Sequence, residues 1–230
     1  MRATQFIVPR YPFGSDSQII GHQHRRTSNG YNHRMIAFCL SVLLLLITPG
    51  PGVLSTAGVG AAFGFKPGLR YVTGLWIGTN LVALIVISGL AAILLAIDWT
   101  RNLLLFGSAA FLCYIALKVA FAGNRIAFID ATEIPGLRAG IILQIINPKA
   151  YAVNITWFSG FILLPDSLIT ETVIKFFIIN LIWIPIHLGW LAIGSLVNQL
   201  DLKPATHRLI NFAMAAAMLF VVGLALWSLL

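Results

Sequence analysis

The chain has 230 residues, 59% of them hydrophobic and only 10% charged, with a mean hydropathy of +0.91. A soluble domain is roughly 45–50% apolar and about 25% charged, so the composition excludes an ordinary water-soluble enzyme or binding module and makes lipid the solvent. The net charge of +8 does not indicate nucleic acid. The basic residues sit in loops and in an N-terminal stretch, where such charges orient a membrane protein and touch the headgroups of membrane lipids.

Residues 1–34 differ from everything after them. They hold Arg2, Arg10, Arg25, Arg26 and Arg34, scattered Ser, Gly and Asn, and the single acid Asp16. No apolar h-region precedes a cleavage site, as a signal peptide requires; an Arg-rich, acid-poor composition also describes an organelle transit peptide. The expectation is a disordered basic extension followed by a transmembrane domain over 35–230. Met35 stands directly before the first apolar run and is an alternative start, which would place 1–34 outside the native protein.

A bilayer core needs about 20 mainly apolar residues per helical span. Six stretches qualify: 36–58, 72–96, 102–121, 139–163, 172–194 and 208–229. The expected fold class is an all-α integral membrane protein of about six transmembrane helices. Trp76, Trp99, Trp157, Trp190 and Trp227 fall near span ends, as an interfacial belt would; Trp183 lies deeper. A kink is expected at Pro185.

The polar linker 122–138 divides the spans into two sets of three. The first helix of each set is interrupted, by Thr48-Pro49-Gly50-Pro51-Gly52 in one and by Asn147-Pro148-Lys149 in the other. An odd number of spans per half inverts the second copy, so two inverted three-helix repeats are expected. Paired Pro/Gly interruptions in corresponding spans point to a midplane binding site in a secondary transporter. Orientation is balanced by the tail. Lys66, Arg70, Lys118, Arg125, Arg138, Lys203 and Arg208 face one side; Arg101, Lys175 and the five tail arginines face the other. Without the tail, the positive-inside rule puts the first group in the cytoplasm.

Two interruptions carry the chemistry. Unwound backbone at membrane depth is tolerated where it is buried or lines a water-filled cavity, and its carbonyls and new helix N-terminus suit a zwitterion. Thr48, Pro49, Gly50, Pro51, Gly52 and, on the same face as Thr48, Ser55 are therefore candidate substrate-binding residues. In helix four Gln144, Asn147, Tyr151 and Asn154 share one face. Lys149 lies roughly ten residues into its span, about 15 Å deep at about 1.5 Å per residue, and an intramembrane lysine is a functional candidate. On an unbroken helix it points away from that polar face; Pro148 can turn it toward the cavity. Asn80 in helix two, and Asn180 and His187 in helix five, complete the candidates. Every acid lies in a loop or at a span end, which argues against a buried carboxylate relay. Cys39 and Cys113 have no metal-ligand spacing and form no CxxC pair, so neither metal nor cofactor is expected.

Together these motifs resemble the lysine-exporter (LysE/RhtB) family of amino-acid exporters. The resemblance rests on Thr48-Pro49-Gly50-Pro51 with Gly60 and Gly64-Phe65-Lys66-Pro67-Gly68, on Gly74 and Gly78, on the run from Leu105 to Ile115, and on Asn147-Pro148-Lys149. It covers residues 36–230. It implies a bacterial inner-membrane secondary transporter that exports amino acids or their derivatives and is driven by an ion gradient, protons first among them. Thr79 and Asn80 stand where many relatives carry an acid, as do Trp183 and His187 in helix five, which leaves substrate and coupling ion open. So does the oligomeric state, a homo-oligomer included. The alternatives are a membrane-embedded enzyme, suggested by Ser159-Gly160 and His187 but lacking a Gly-x-Ser-Gly motif, and an accessory or redox membrane protein, which the cysteine spacing disfavours.

Overall fold

Inside a bilayer the backbone must satisfy its own hydrogen bonds, which leaves helices or closed barrels as spanning structures. This chain takes the helical solution. The computed structural model describes residues 16–48, 50–121, 125–126, 129–130, 133–200 and 203–227. In chain order the elements are α1 (Asp16–Ile47), α2 (Pro51–Phe63), α3 (Phe65–Ile87), α4 (Leu90–Ala96), α5 (Asp98–Ala120), β1 (Arg125–Ile126), β2 (Ile129–Asp130), α6 (Leu137–Ile146), α7 (Pro148–Ser159), α8 (Leu168–Gln199) and α9 (Pro204–Trp227). The two strands are a minimal antiparallel pair in the linker.

Among the described residues α3, α5, α8 and α9 contain stretches long and apolar enough to cross a membrane, and α1 with α2 makes a fifth span bent by 51°. The remaining span comes in two pieces: α6 has 10 residues and α7 has 12, and neither is long enough alone. Several boundaries differ from those expected. The second span starts at Phe65 and turns at Ser88 and Gly89 (φ 77) before the short α4. α8 passes through Pro185 as one 32-residue helix. α1 begins at Asp16, within the basic extension expected to lack structure. Extending a helix already nucleated by the apolar run adds a hydrogen bond for each residue fixed. Residues 1–15 lie outside the described residues.

Two backbone-to-backbone crossings hold the bundle. Where α2 meets α8, a methyl on Gly60 would lie 2.6 Å from the Leu191 carbonyl oxygen, and one on Gly194 would strike the Ala57 carbonyl. Where α3 meets α6, methyls on Gly74 and Gly140 would strike the carbonyls of Leu137 and Tyr71. Small residues permit such approach between membrane helices, and Gly74-xxx-Gly78 is one side of a real crossing. In a six-span topology all four glycines lie toward the end that carries the α2–α3, α5–α6 and α8–α9 connections. Asn198 adds a hydrogen bond to the Ala61 carbonyl there, at 3.1 Å. Gly140→Val is expected to force α3 and α6 apart and cost roughly 1–3 kcal/mol, read as a lower unfolding temperature in detergent. Gly107→Val is the control, because a methyl at Gly107 meets nothing within 4 Å.

The main pairings are α2 with α8, α3 with α6, and α5 with α9. Counted as whole spans, exchanging the two three-helix halves maps the first pairing onto the second and the third onto itself; counted as half-helices, it maps α2 with α8 onto α7 with α3, whereas α3 packs mainly on α6. The close crossings break that symmetry. Gly60 follows the interruption in the first half, whereas Gly140 precedes it in the second.

The opposite end is held by charge. Lys175 and Glu171, read from sequence as loop or span-end charges, have side chains only 1% and 8% exposed and pair at 2.6 Å. Lys175 Nζ also donates to the carbonyls of Phe161 (2.5 Å) and Phe158 (3.3 Å). Glu171 Oε2 accepts the amides of Leu163 (2.9 Å) and Leu164 (2.6 Å). The pair thus ties the end of α7 and the following loop to the first turns of α8.

Candidate substrate site at the two helix breaks

Both interruptions are built in the same way. α1 stops at Ile47; Gly50 caps α2 in an extended conformation (φ −161, ψ 179), and Pro51 takes the first helical position, where a missing amide hydrogen costs nothing. α6 stops at Ile146; Asn147, also extended, caps α7 through its side chain, which accepts the Lys149 amide at 3.0 Å, and Pro148 takes the first position. Asn147 Nδ2 donates in turn to Gln144 Oε1 at 3.0 Å.

The breaks touch. Lys149 Nζ donates to the Thr48 carbonyl at 2.6 Å, and a methyl on Gly50 would lie 2.9 Å from Lys149 Cδ. Restarting the helix at Pro148 places Lys149 beside Gln144 and Asn147 on one cavity, which Gly50, Gly52, Trp157 and His187 also line. The cavity measures about 40 Å³. By this measure a single water needs about 10–15 Å³, so the site has room for a few waters among its polar groups.

His187 is buried, its ring stacked on Trp183 with centroids 3.6 Å apart and planes 11° from parallel. Its Nδ1 lies 3.0 Å from the Trp183 carbonyl oxygen. A carbonyl only accepts, so in the neutral ring Nδ1 carries the hydrogen and Nε2 is left as an acceptor. Nε2 faces the start of α2, 3.7 Å from where a methyl on Gly52 would be. Trp157 is 1% exposed rather than interfacial, and its indole Nε1 is buried without a hydrogen-bond partner.

The balance of the cavity is cationic. α2 and α7 both direct their N-termini to it, and helix N-termini carry partial positive charge and free amides. At α2 no side chain caps those amides. Lys149 forms no ion pair among the described residues. A lysine at the centre of a membrane helix costs roughly 2.5–3.5 kcal/mol on insertion scales, a cost that a bound anion offsets. The same cavity offers an acceptor in His187 Nε2, and the Thr48 carbonyl lies next to it, bound to Lys149 Nζ. The cavity can therefore take a carboxylate and an ammonium side by side.

Residues 43–229 match the model of the LysE type translocator family. The chain belongs to that family. Curated relatives include a leucine efflux protein of Salmonella typhimurium, 24% identical over 147 residues that cover 62% of this chain and 68% of the relative. A cysteine/O-acetylserine efflux protein of Escherichia coli is 27% identical over 128 residues, covering 55% of this chain and 65% of the relative. No solved structure matches. This LysE-type translocator is a transporter rather than an enzyme, and an integral protein of the inner membrane.

Not every candidate residue of the translocator reaches the cavity. Thr48 does not line it: its carbonyl accepts Lys149 Nζ at the edge, and its hydroxyl turns back to the Leu44 carbonyl at 2.7 Å. Pro49 lies outside the described residues. Pro51 and Pro148 line a neighbouring cavity instead. Ser55 is buried against Tyr71, whose hydroxyl donates to it at 2.8 Å. Asn154 donates to the Ala150 carbonyl of its own helix at 2.8 Å. Asn80 and Asn180 bond reciprocally between α3 and α8 at 3.2 and 3.0 Å, with the Trp76 indole also on Asn180 Oδ1 at 2.6 Å. Conversely, Gln144, Thr79, Trp157 and Trp183 line the cavity without having been selected. Gln144 and Trp183 carried a signal, lying three and four residues from Asn147 and His187 on shared helical faces. Trp157 carried none that separates it from an interfacial tryptophan.

Proposed function

We propose that the protein exports amino acids or their derivatives across the inner membrane, with the meeting point of the two helix breaks as the substrate site. The observation that carries this reading is Lys149: a cation at the start of a restarted helix, 2.6 Å from unwound backbone of the other break and without a carboxylate partner among the described residues. The substrate carboxylate takes Lys149 Nζ, the uncapped amides of α2 and the free indole N–H of Trp157. The substrate ammonium takes His187 Nε2 and the Thr48 carbonyl. In the structure the Lys149 ammonium occupies that carbonyl itself, so an arriving substrate replaces one ammonium with another and frees Lys149 for the carboxylate.

The two halves act as inverted repeats. The end sealed by the glycine crossings opens when α2 parts from α8 and α3 from α6, while the other end closes. Transport is driven by an ion gradient, with Lys149 and His187 as the ionisable groups at the cavity. The names of the relatives, which concern leucine, cysteine and O-acetylserine efflux, agree with a zwitterionic substrate. The test is release of labelled amino acids from proteoliposomes holding the purified protein, with and without an imposed proton gradient. Release of amino acids above protein-free vesicles supports the export reading, and acceleration by the gradient supports proton coupling. Equal release with and without protein refutes the export reading.

A further inference from the structure

A second cavity lies behind the first. Leu105, Ser108, Ala109 and Leu112 of α5 face Val221 and Val222 of α9 across it, and Gly50, Asn147 and Lys149 line both cavities. Its volume is about 160 Å³, whereas the polar cavity offers about 40 Å³. An apolar cavity of about 150 Å³ holds a benzene molecule, so this one accepts a branched aliphatic or a single-ring side chain. Between the two spaces stand Gly50, Asn147 and the flexible stem of Lys149. A methyl on Gly50 would lie 2.9 Å from Lys149 Cδ and 3.1 Å from Nζ, so the absence of a side chain at Gly50 is what leaves the lysine room. Among the described residues no acidic side chain lines either cavity.

We propose that the cavity between α5 and α9 is the side-chain subsite of the exporter, and that its substrates are neutral amino acids with apolar side chains of up to about six heavy atoms. The inference rests on the export reading above and adds to it the class of substrate. The charged ends of the amino acid stay at the helix breaks. Its Cα sits at the window between Gly50 and Lys149, and its side chain passes into the α5–α9 space. Apolar walls reward a leucine-like group there. A cationic side chain finds Lys149 at the window and, among the described residues, no carboxylate beyond it, so lysine and arginine are rejected.

The full chain in proteoliposomes tests this through counterflow of labelled leucine, alanine and phenylalanine, with unlabelled lysine as competitor. Ala109→Leu fills the subsite. It should lower leucine transport at least about tenfold relative to alanine, since even one methylene in an apolar pocket discriminates by about 10-fold or more. Leu105→Ala enlarges the subsite and should raise phenylalanine relative to leucine by a similar factor, so two variants of opposite sense guard against a mere folding defect. The proposal is overturned if both variants change all substrates by one factor, which is the result for a lipid-filled crevice. It is also overturned if lysine competes as well as leucine. Unaltered substrate ratios in a protein that still moves amino acids refute the subsite alone. A wild-type protein that moves no amino acid refutes the export reading with it.

Discussion

Lys149→Met is expected to abolish export while leaving the amount of membrane-inserted protein unchanged. Methionine keeps the length of the side chain and its packing against Gly50, and removes the ammonium. With it goes the 2.6 Å bond to the Thr48 carbonyl that joins the two breaks. It also removes the one charged side chain that lines the cavity among the described residues, and with it the strongest donor available to a carboxylate. A charge-assisted hydrogen bond is about twice as strong as a neutral one. The uncapped amides of α2 and the Trp157 indole remain, so residual binding of weakly held substrate is expected where turnover is not. Lys149→Arg should restore export only in part. Arg keeps the charge, but its planar fork does not fit a site shaped around a point charge and it does not release a proton. The measurement is efflux of labelled amino acid from proteoliposomes at matched protein content. Export by the methionine variant at the wild-type rate removes Lys149 from the mechanism and leaves the broken backbone and His187 as the binding elements.

The parts of this site that could be read in sequence are those that conflict with a plain helix. Pro49, Gly50, Pro51 and Pro148 cannot sit quietly inside a span, and a lysine inside an apolar run needs a reason. Those conflicts identify the breaks without any knowledge of neighbours. Helical periodicity goes one step further and states which residues share a face, but it does not say what that face meets. Asn80 and Asn180 show the limit. Each lies on a polar face of its helix, and the two faces meet each other instead of the cavity. Ser55 and Asn154 also share faces with the breaks, yet their polar groups are satisfied by Tyr71 and by the Ala150 carbonyl. Trp157 fails for the converse reason. A tryptophan near a span end suits the interface, and only packing from three dimensions places it in the core with its indole nitrogen unpaired. The glycine crossings were half legible. Gly74-xxx-Gly78 marks a face on which another helix can approach closely, but not that α6 is the helix that does so.

Lys175 gives the second large effect, on stability rather than on transport. Lys175→Met is expected to destabilise the protein by roughly 3–5 kcal/mol, the usual cost of removing one partner of a buried ion pair. Its side chain is 1% exposed, and three acceptors depend on it: Glu171 Oε1 and the carbonyls of Phe158 and Phe161. After the substitution the carbonyls lose their donor and the Glu171 carboxylate keeps only the amides of Leu163 and Leu164. Glu171→Gln should cost less, because an amide oxygen can still accept from those amides or from Lys175. Combining Glu171→Gln with Lys175→Met should recover part of the loss, since it removes the uncompensated charge as well as its partner. Thermal unfolding of the detergent-solubilised protein reads all three variants. If the double variant is less stable than Lys175→Met by the full cost of Glu171→Gln, the two side chains act independently. The end of α7 is then held by packing such as that of Phe161 against Phe38 (ring centroids 5.5 Å apart), not by the ion pair.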